Sequence, residues 1–180
     1  MNAFPNFKLR AVLGAAVAAT VLGLPSIASA ATASATLTVT ANVAANCKIS
    51  TTNVAFGAYD PLGAGNLQSN GTVVITCVKN TAPTSIDLDP GLHFLGTRRM
   101  QGAAATPDLI AYELYKPTSN AAGAACAYTT VWTTGAVSGL VPVAAPSNAP
   151  RTYNVCGQAA LGQNVQVDTY SDTVNATVNF

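Results

Sequence analysis

From Ala31 to Val43 every odd position is apolar and every even position is Thr, Ser or Asn. That period of two is the mark of a strand with one buried face, and no charge, proline or glycine interrupts it. Comparable runs recur along the chain between Gly, Pro and Asn punctuation: CKIS from Cys47, TVVITCV (72–78), TSIDLDP (84–90), LIAYELYKP (109–117), CAYTTVWTT (126–134), RTYNVCGQ (151–158) and the C-terminal stretch 163–180. In LIAYELYKP, Ile110, Tyr112 and Leu114 face one side and Leu109, Ala111, Glu113 and Tyr115 the other, with CAYTTVWTT as the hairpin partner. Residues 53–71 read as a loop whose Phe56 and Tyr59 dip into the core, Gly91–Asp108 as another loop, and the Pro-rich 139–150 as a connection or an edge strand. Helical periodicity is almost absent, so the architecture is predicted to be all β. About seven strands with turn signals at this spacing point to an immunoglobulin-like β-sandwich, with a closed barrel as the fallback. The last strand places Val174, Ala176, Val178 and Phe180 on one face, so both ends beyond residue 30 are expected to be strands with apolar faces.

The first 30 residues fit a different purpose. Lys8 and Arg10 precede an uncharged run, Ala11 to Leu24, that is short for a membrane span, and Ala28-Ser29-Ala30 resembles a cleavage site. Residues 1–30 are predicted to be a secretory signal, in preference to a retained anchor, which Gly14 and Pro25 argue against. An exported protein of one domain follows, with no membrane insertion after cleavage. Without Lys8 and Arg10 the chain has 6 basic residues against 7 acidic ones, none in runs. Nucleic acid and anionic membrane surfaces are therefore not expected partners. Cys47, Cys77, Cys126 and Cys156 are an even set in an exported chain, which favours disulfides. Three connectivities are open; Cys47 with Cys77 and Cys126 with Cys156 is preferred, because each closes a loop of about 30 residues and would contribute roughly 3–4 kcal/mol. A zinc site is disfavoured by the lack of a C-x-x-C pair and by a single histidine.

Candidate chemistry is sparse. His93 is the only imidazole and has no nucleophile motif beside it, so it reads as a loop or partly buried structural residue. Asp87 and Asp89 would project from one strand face, as an acid pair, half a calcium site or, preferably, a solvated face. Arg98 and Arg99 suit a structural salt bridge better than an anion clamp, and Asp168 and Asp172, flanking Tyr170, suit a turn. Trp132 and the tyrosines have strand spacing, so packing is preferred over sugar stacking. Sequons stand at Asn70 and Asn175. No catalytic set, metal site or cofactor motif is expected, and an enzyme is the least favoured class.

The unguarded 31–43 pattern is a pairing hazard unless it has a partner. Together with NCKIS, VAFGAYDP, GTVVITC, LDPGL, RRM, LIAYELY, the Trp of TTVW and the ending YNVCGQAALGQNVQVDTYSDTVNATVNF, it resembles the spore coat protein U domain family, which includes the Csu-type pilins of archaic chaperone-usher pili. The likeness spans nearly all of the chain beyond residue 30; Cys156 departs from the aromatic residue common there, which suggests an added disulfide with Cys126. The resemblance implies an incomplete immunoglobulin-like sandwich (44–180), completed by a donor strand from a neighbouring subunit (31–43). The donor plugs would be Ala33, Ala35, Leu37, Val39, Ala41 and Val43, and the acceptor edge Val174, Ala176, Val178 and Phe180. It implies as partners a periplasmic chaperone, an outer-membrane usher and neighbouring copies or homologous pilins, with export through the periplasm to a surface fibre serving adhesion and biofilm formation. A shaft subunit is favoured over a two-domain tip adhesin. The alternatives are a secreted protective coat protein and a monomeric sandwich that binds a sugar or other small ligand through Trp132 and nearby tyrosines.

Overall fold

The computed structural model describes residues 31–180; the predicted signal, 1–30, lies outside the described residues. The chain divides by its internal contacts at Thr40. In the first unit, residues 31–40 form no strand and are exposed throughout, and in the second the same holds for 41–46. The N-terminal stretch predicted as a strand is thus extended chain without a ladder in the isolated molecule. A single row of main-chain groups gains nothing from β conformation until another strand lies beside it.

The second unit, 41–180, carries nine strands rather than about seven. They are β1 (Cys47–Thr52), β2 (Asn66–Cys77), β3 (Ser85–Leu88), β4 (Arg98–Gly102), β5 (Leu109–Pro117), β6 (Cys126–Val131), β7 (Arg151–Ala160), β8 (Tyr170–Ser171) and β9 (Ala176–Asn179), with one helical turn, α1 (Gly135–Ser138). Seven lie in one antiparallel sheet of order β1-β2-β7-β5-β4-β8, with β6 also paired to β5; β3 and β9 form a separate ribbon. Cys47 is bonded to Cys77 at the β1–β2 register and Cys126 to Cys156 between β6 and β7, the two local pairings.

Alternation explains most of the strands. Val73, Ile75 and Cys77 of β2, Ile110, Tyr112 and Leu114 of β5, and Tyr153, Val155 and Ala159 of β7 are buried, and the residues between them are less so except in β7, where Cys156 and Gly157 are buried too. Two loop expectations are corrected here. Residues 66–70 extend β2 because each has a partner on β7, and 98–102 become β4 because Arg98 and Met100 pair with Tyr112 and Ile110 of β5. The turn Leu140 within the Pro-rich connection is fully buried and bridges Ile86.

β3 departs furthest from its sequence pattern. All four of its residues are buried, Asp87 included, so the expected solvated acidic face does not exist. Asn179 of β9 donates its side-chain amide to Ser85 Oγ and to Asp87 Oδ2, both at 2.9 Å. The ribbon is fastened to the larger sheet from the inside. Arg98, 1% exposed, extends its guanidinium to the carbonyls of Leu88 (3.3 Å), Asp89 (2.8 Å) and Trp132 (2.8 Å) and pairs with Glu113. Trp132, also fully buried, donates Nε1 to Ile86 O at 2.8 Å and takes part in the β5 ladder through its own N–H to Leu114 O. The expected salt bridge at Arg98 is real, but the guanidinium also satisfies three main-chain carbonyls, at the end of β3, just past it and just past β6.

Removing Arg98 takes the guanidinium donors from those carbonyls and leaves the Glu113 carboxylate without its counter-charge, with only Leu114 N and the Thr97 hydroxyl as donors. Arg98→Met is expected to lower stability by about 3–5 kcal/mol, read as a shift in the guanidinium-chloride unfolding midpoint. A change below about 1 kcal/mol would show that water replaces the guanidinium without loss.

Candidate functional site: an open cleft between two strand edges

β1 ends the large sheet and β9 ends the ribbon, so each has a ladder on one side only. Between them lies a cleft of about 490 Å³. Its floor is core: Val73, Leu88, Met100, Tyr112, Leu114 and Val155, drawn from five strands. One wall is Thr51–Phe56, and the other runs from Tyr170 through Val174 to Ala176. A second hollow of about 530 Å³ shares Val54, Phe56, Met100 and Tyr170 with the first and continues between residues 55–61 and 165–169. A sandwich whose two sheets are joined by a strand at this place would have no such trough.

Two glycines seat the first wall. A Cβ on Gly71 would lie 2.6 Å from Thr52 O and 2.9 Å from Val54 Cγ2, and one on Gly157 would strike Val54 Cγ1 and stand 3.0 Å from Phe56 Cζ. The chain after β1 can therefore lie directly on β2 and β7, and Phe56 reaches Tyr112 edge-on, with centroids 6.0 Å apart. Tyr59 also packs on the core, and its hydroxyl donates to Ala160 O at 2.7 Å. Glycine inside a strand is the sequence signal of such a close approach, and it was available in both positions.

Asp172 fixes the second wall. Its side chain is 2% exposed. Oδ1 accepts from Leu92 N (3.0 Å) and Thr173 N (2.9 Å) and lies 3.3 Å from His93 Nδ1, while Oδ2 accepts from the Tyr112 hydroxyl at 2.7 Å. Burial, and then the bond to Asp172, push the Tyr112 hydroxyl far above its ordinary value, so it stays a donor. His93 thus serves as a structural partner of Asp172. Asp89 ties the same region to the ribbon: it accepts from Asn175 N at 3.0 Å and Asn175 Nδ2 at 2.7 Å. Burial pushes its carboxyl up, but the bonds from Asn175 and Gly91 outweigh this and hold it below the ordinary value. Asp168 accepts from Ala104 N and Thr169 N, which lower its carboxyl too.

The residues proposed from sequence fall as follows. Val174 and Ala176 line the cleft; Val178 packs on the core without lining it; Phe180 lies past β9 and is 53% exposed. Ala33, Ala35, Leu37, Val39, Ala41 and Val43 are all exposed, Leu37 and Val39 at 85% and 86%. Trp132 cannot stack on a ligand, being wholly buried. The floor residues and the two glycines were not singled out in the sequence, because alternation identifies them as core and says nothing about which core residues are left uncovered. The arrangement presents an apolar floor between two unpaired main-chain edges, which suits an extended peptide.

The family model for the Spore Coat Protein U domain matches residues 33–177. Protein U of Myxococcus xanthus is 32% identical over 96% of this chain and 98% of its own length. Among solved structures, the CsuC-CsuE chaperone-tip adhesion subunit pre-assembly complex from archaic chaperone-usher Csu pili of Acinetobacter baumannii contains a chain with the same fold: TM-score 0.52, 24% identity, 77% of this chain and 40% of that one covered.

Gly157→Val is expected to expel Val54 and Phe56 from their seat and lower stability by about 1–3 kcal/mol, read as a shift in the guanidinium-chloride unfolding midpoint; an unchanged midpoint would show that this wall does not rest on Gly157. The Asp89 carboxyl is lowered on folding from 3.8. Its contribution is therefore full above that pH and lost as pH falls through the lower folded value. The melting temperature should drop more steeply below pH 4 in the parent protein than in Asp89→Asn, and equal slopes would refute the assignment.

Proposed function

This chain belongs to the Spore Coat Protein U domain family, and on that premise we propose that it is a structural subunit of a secreted surface fibre of the archaic chaperone-usher type, polymerising by donor-strand exchange. The observation that carries the reading is the pairing of two incomplete parts in one chain: a core open between two strand edges, and an exposed segment, 31–43, with uncharged strand alternation and no ladder of its own. Each part lacks what the other supplies. A segment of one copy lying in the cleft of the next would gain main-chain hydrogen bonds along β1 and β9 and bury Leu37, Val39 and Val43, worth about 1.5–3 kcal/mol for each side chain fully covered. Ala33, Ala35 and Ala41 add little burial, so the ladder carries much of the affinity. A head-to-tail contact that does not close on itself grows into a filament.

The remaining roles follow from this reading. Before assembly the open core needs a cover, the part of a periplasmic chaperone, and an outer-membrane usher would exchange that cover for the next subunit. The solved neighbour is itself part of a chaperone-subunit complex of a pilus, which supports a chaperone as partner. Export through the periplasm to the cell surface, and service in adhesion and biofilm formation, belong to the same proposal. The family's description as a spore coat domain favours a second form of the same chemistry, a secreted protective layer built from such subunits.

The deletion of residues 31–43 tests the exchange. The truncated chain is expected to accumulate as monomer, while the parent gives a ladder of bands in an unboiled gel; the double substitution Leu37→Asp with Val39→Asp should also abolish the ladder. A ladder from the truncated chain would sink the reading. Electron microscopy of the assembled parent separates the two forms, threads for the fibre and sheets for the layer.

A further inference from the structure

The face of the large sheet turned away from the cleft has its own organisation. Where Val73, Val155 and Leu114 point to the core, their neighbours along each strand point outward. The register then sets which of these stand side by side: Gln68 of β2 opposite Gln158 of β7, and one rung further Asn70, Cys156 and Tyr115 across β2, β7 and β5. Cys156 is fully buried although it belongs to this outer face, because β6 folds over it and is bonded to it through Cys126. β6 brings Tyr128 with it. The Tyr128 hydroxyl reaches Asn70 Oδ1 at 3.0 Å, and its ring meets that of Tyr115 edge-on, with centroids 6.1 Å apart.

Tyr128 does this from a backbone conformation that side chains avoid. Its φ is 51°, and only one other non-glycine residue among those described has a positive φ. Such strain persists where the surroundings impose it, and it marks positions where a side chain must be aimed. Beside the two half-exposed rings, the amides of Gln68 and Gln158 engage no side-chain or backbone partner among the described residues, and the Asn70 amide nitrogen is likewise unused. Glu113 continues the Gln158 rung, but its charge is taken by Arg98. Around the two glutamines the only charge is therefore that of Glu113, already paired, with Lys48 at the far end of the face beside Thr76; this part of the face is aromatic at one side and rich in groups that both donate and accept.

We propose that this face is a binding site for a neutral saccharide, independent of the cleft. A pyranose has an apolar C–H face, which suits a tyrosine ring, and hydroxyls that donate and accept, which suit a carboxamide. Acidic ligands find no counter-charge beside the two glutamines, and basic ones only a carboxylate already paired with Arg98. Because the site and the cleft lie on opposite faces, a subunit with a filled cleft still presents it.

Saturation-transfer NMR of the full chain with mannohexaose, maltohexaose, cellohexaose and chitohexaose, and with a heparin hexasaccharide as the charged control, tests the site. At least one neutral hexasaccharide is expected to bind, and Gln68→Ala with Gln158→Ala should weaken it about tenfold or more, two lost hydrogen bonds, while binding of the 31–43 peptide is unchanged. The ring resonances of Tyr115 and Tyr128 give a readout that needs no substitution and should shift on titration. Binding of none of the four, binding of heparin alone, an unaltered affinity in the double variant, or unshifted tyrosine resonances would each overturn the proposal; loss of fibre assembly with saccharide binding intact would instead count against the cleft reading.

Discussion

The β3–β9 ribbon is too small to be stable alone, since two short strands in water are at best marginal. Its place is held by the buried guanidinium of Arg98, which reaches Leu88 O and Asp89 O at the end of β3, Trp132 O beyond β6 and Glu113 on β5. A charge with this little exposure costs several kcal/mol to desolvate and is tolerated because nearly every donor has an acceptor. One residue therefore joins the two sheets at the level of the core. It also sets the separation of the cleft walls, because β9 follows β3 wherever Arg98 holds it.

From that attachment the cleft follows. With β3 inside, β9 lies on its outer side with one edge free, and β1 stands at the far end of the large sheet with its own edge free. The gap could close only if the 51–56 segment and the 170–176 segment moved together, and both are held in place. Gly71 and Gly157 let the first lie on the sheet, and Asp172 and Asp89 bind the second to the loop after β3 and to Tyr112. A trough lined by core side chains with unpaired main chain on both sides is a costly thing to leave empty. Its presence in the domain taken alone is the physical ground for the proposal that another strand fills it.

Both halves of the disulfide pattern serve this arrangement differently. Cys47–Cys77 pins the start of β1, and so the first residues after the 31–46 segment, to β2. Cys126–Cys156 lies on the opposite face and draws β6 across β7, where it carries Tyr128 toward Asn70. One bond steadies the edge of the cleft and the other builds the outer face.

Much of this was legible in the chain. Period-two alternation marked β2, β5 and β7 and most of their buried residues, because inward and outward positions differ in polarity whenever one face of a sheet meets water. The even cysteine count and the local spacing made the two short-range bridges the simplest choice. The same rule failed at β3, where burial on both sides hides Asp87 behind an alternating pattern, and at β4, where an arginine pair masked a strand whose polar residue points inward. The 31–43 alternation spoke of a strand, yet the isolated molecule has none there, since pairing is a property of two segments and a sequence displays only one. What the sequence determined by itself was the local material: strands, turns, bridges and an unguarded terminal segment. Only the tertiary structure decided which edges remain unpaired, which core residues line the opening and which amide meets Tyr128 on the outer face, because these depend on contacts between residues far apart in the chain.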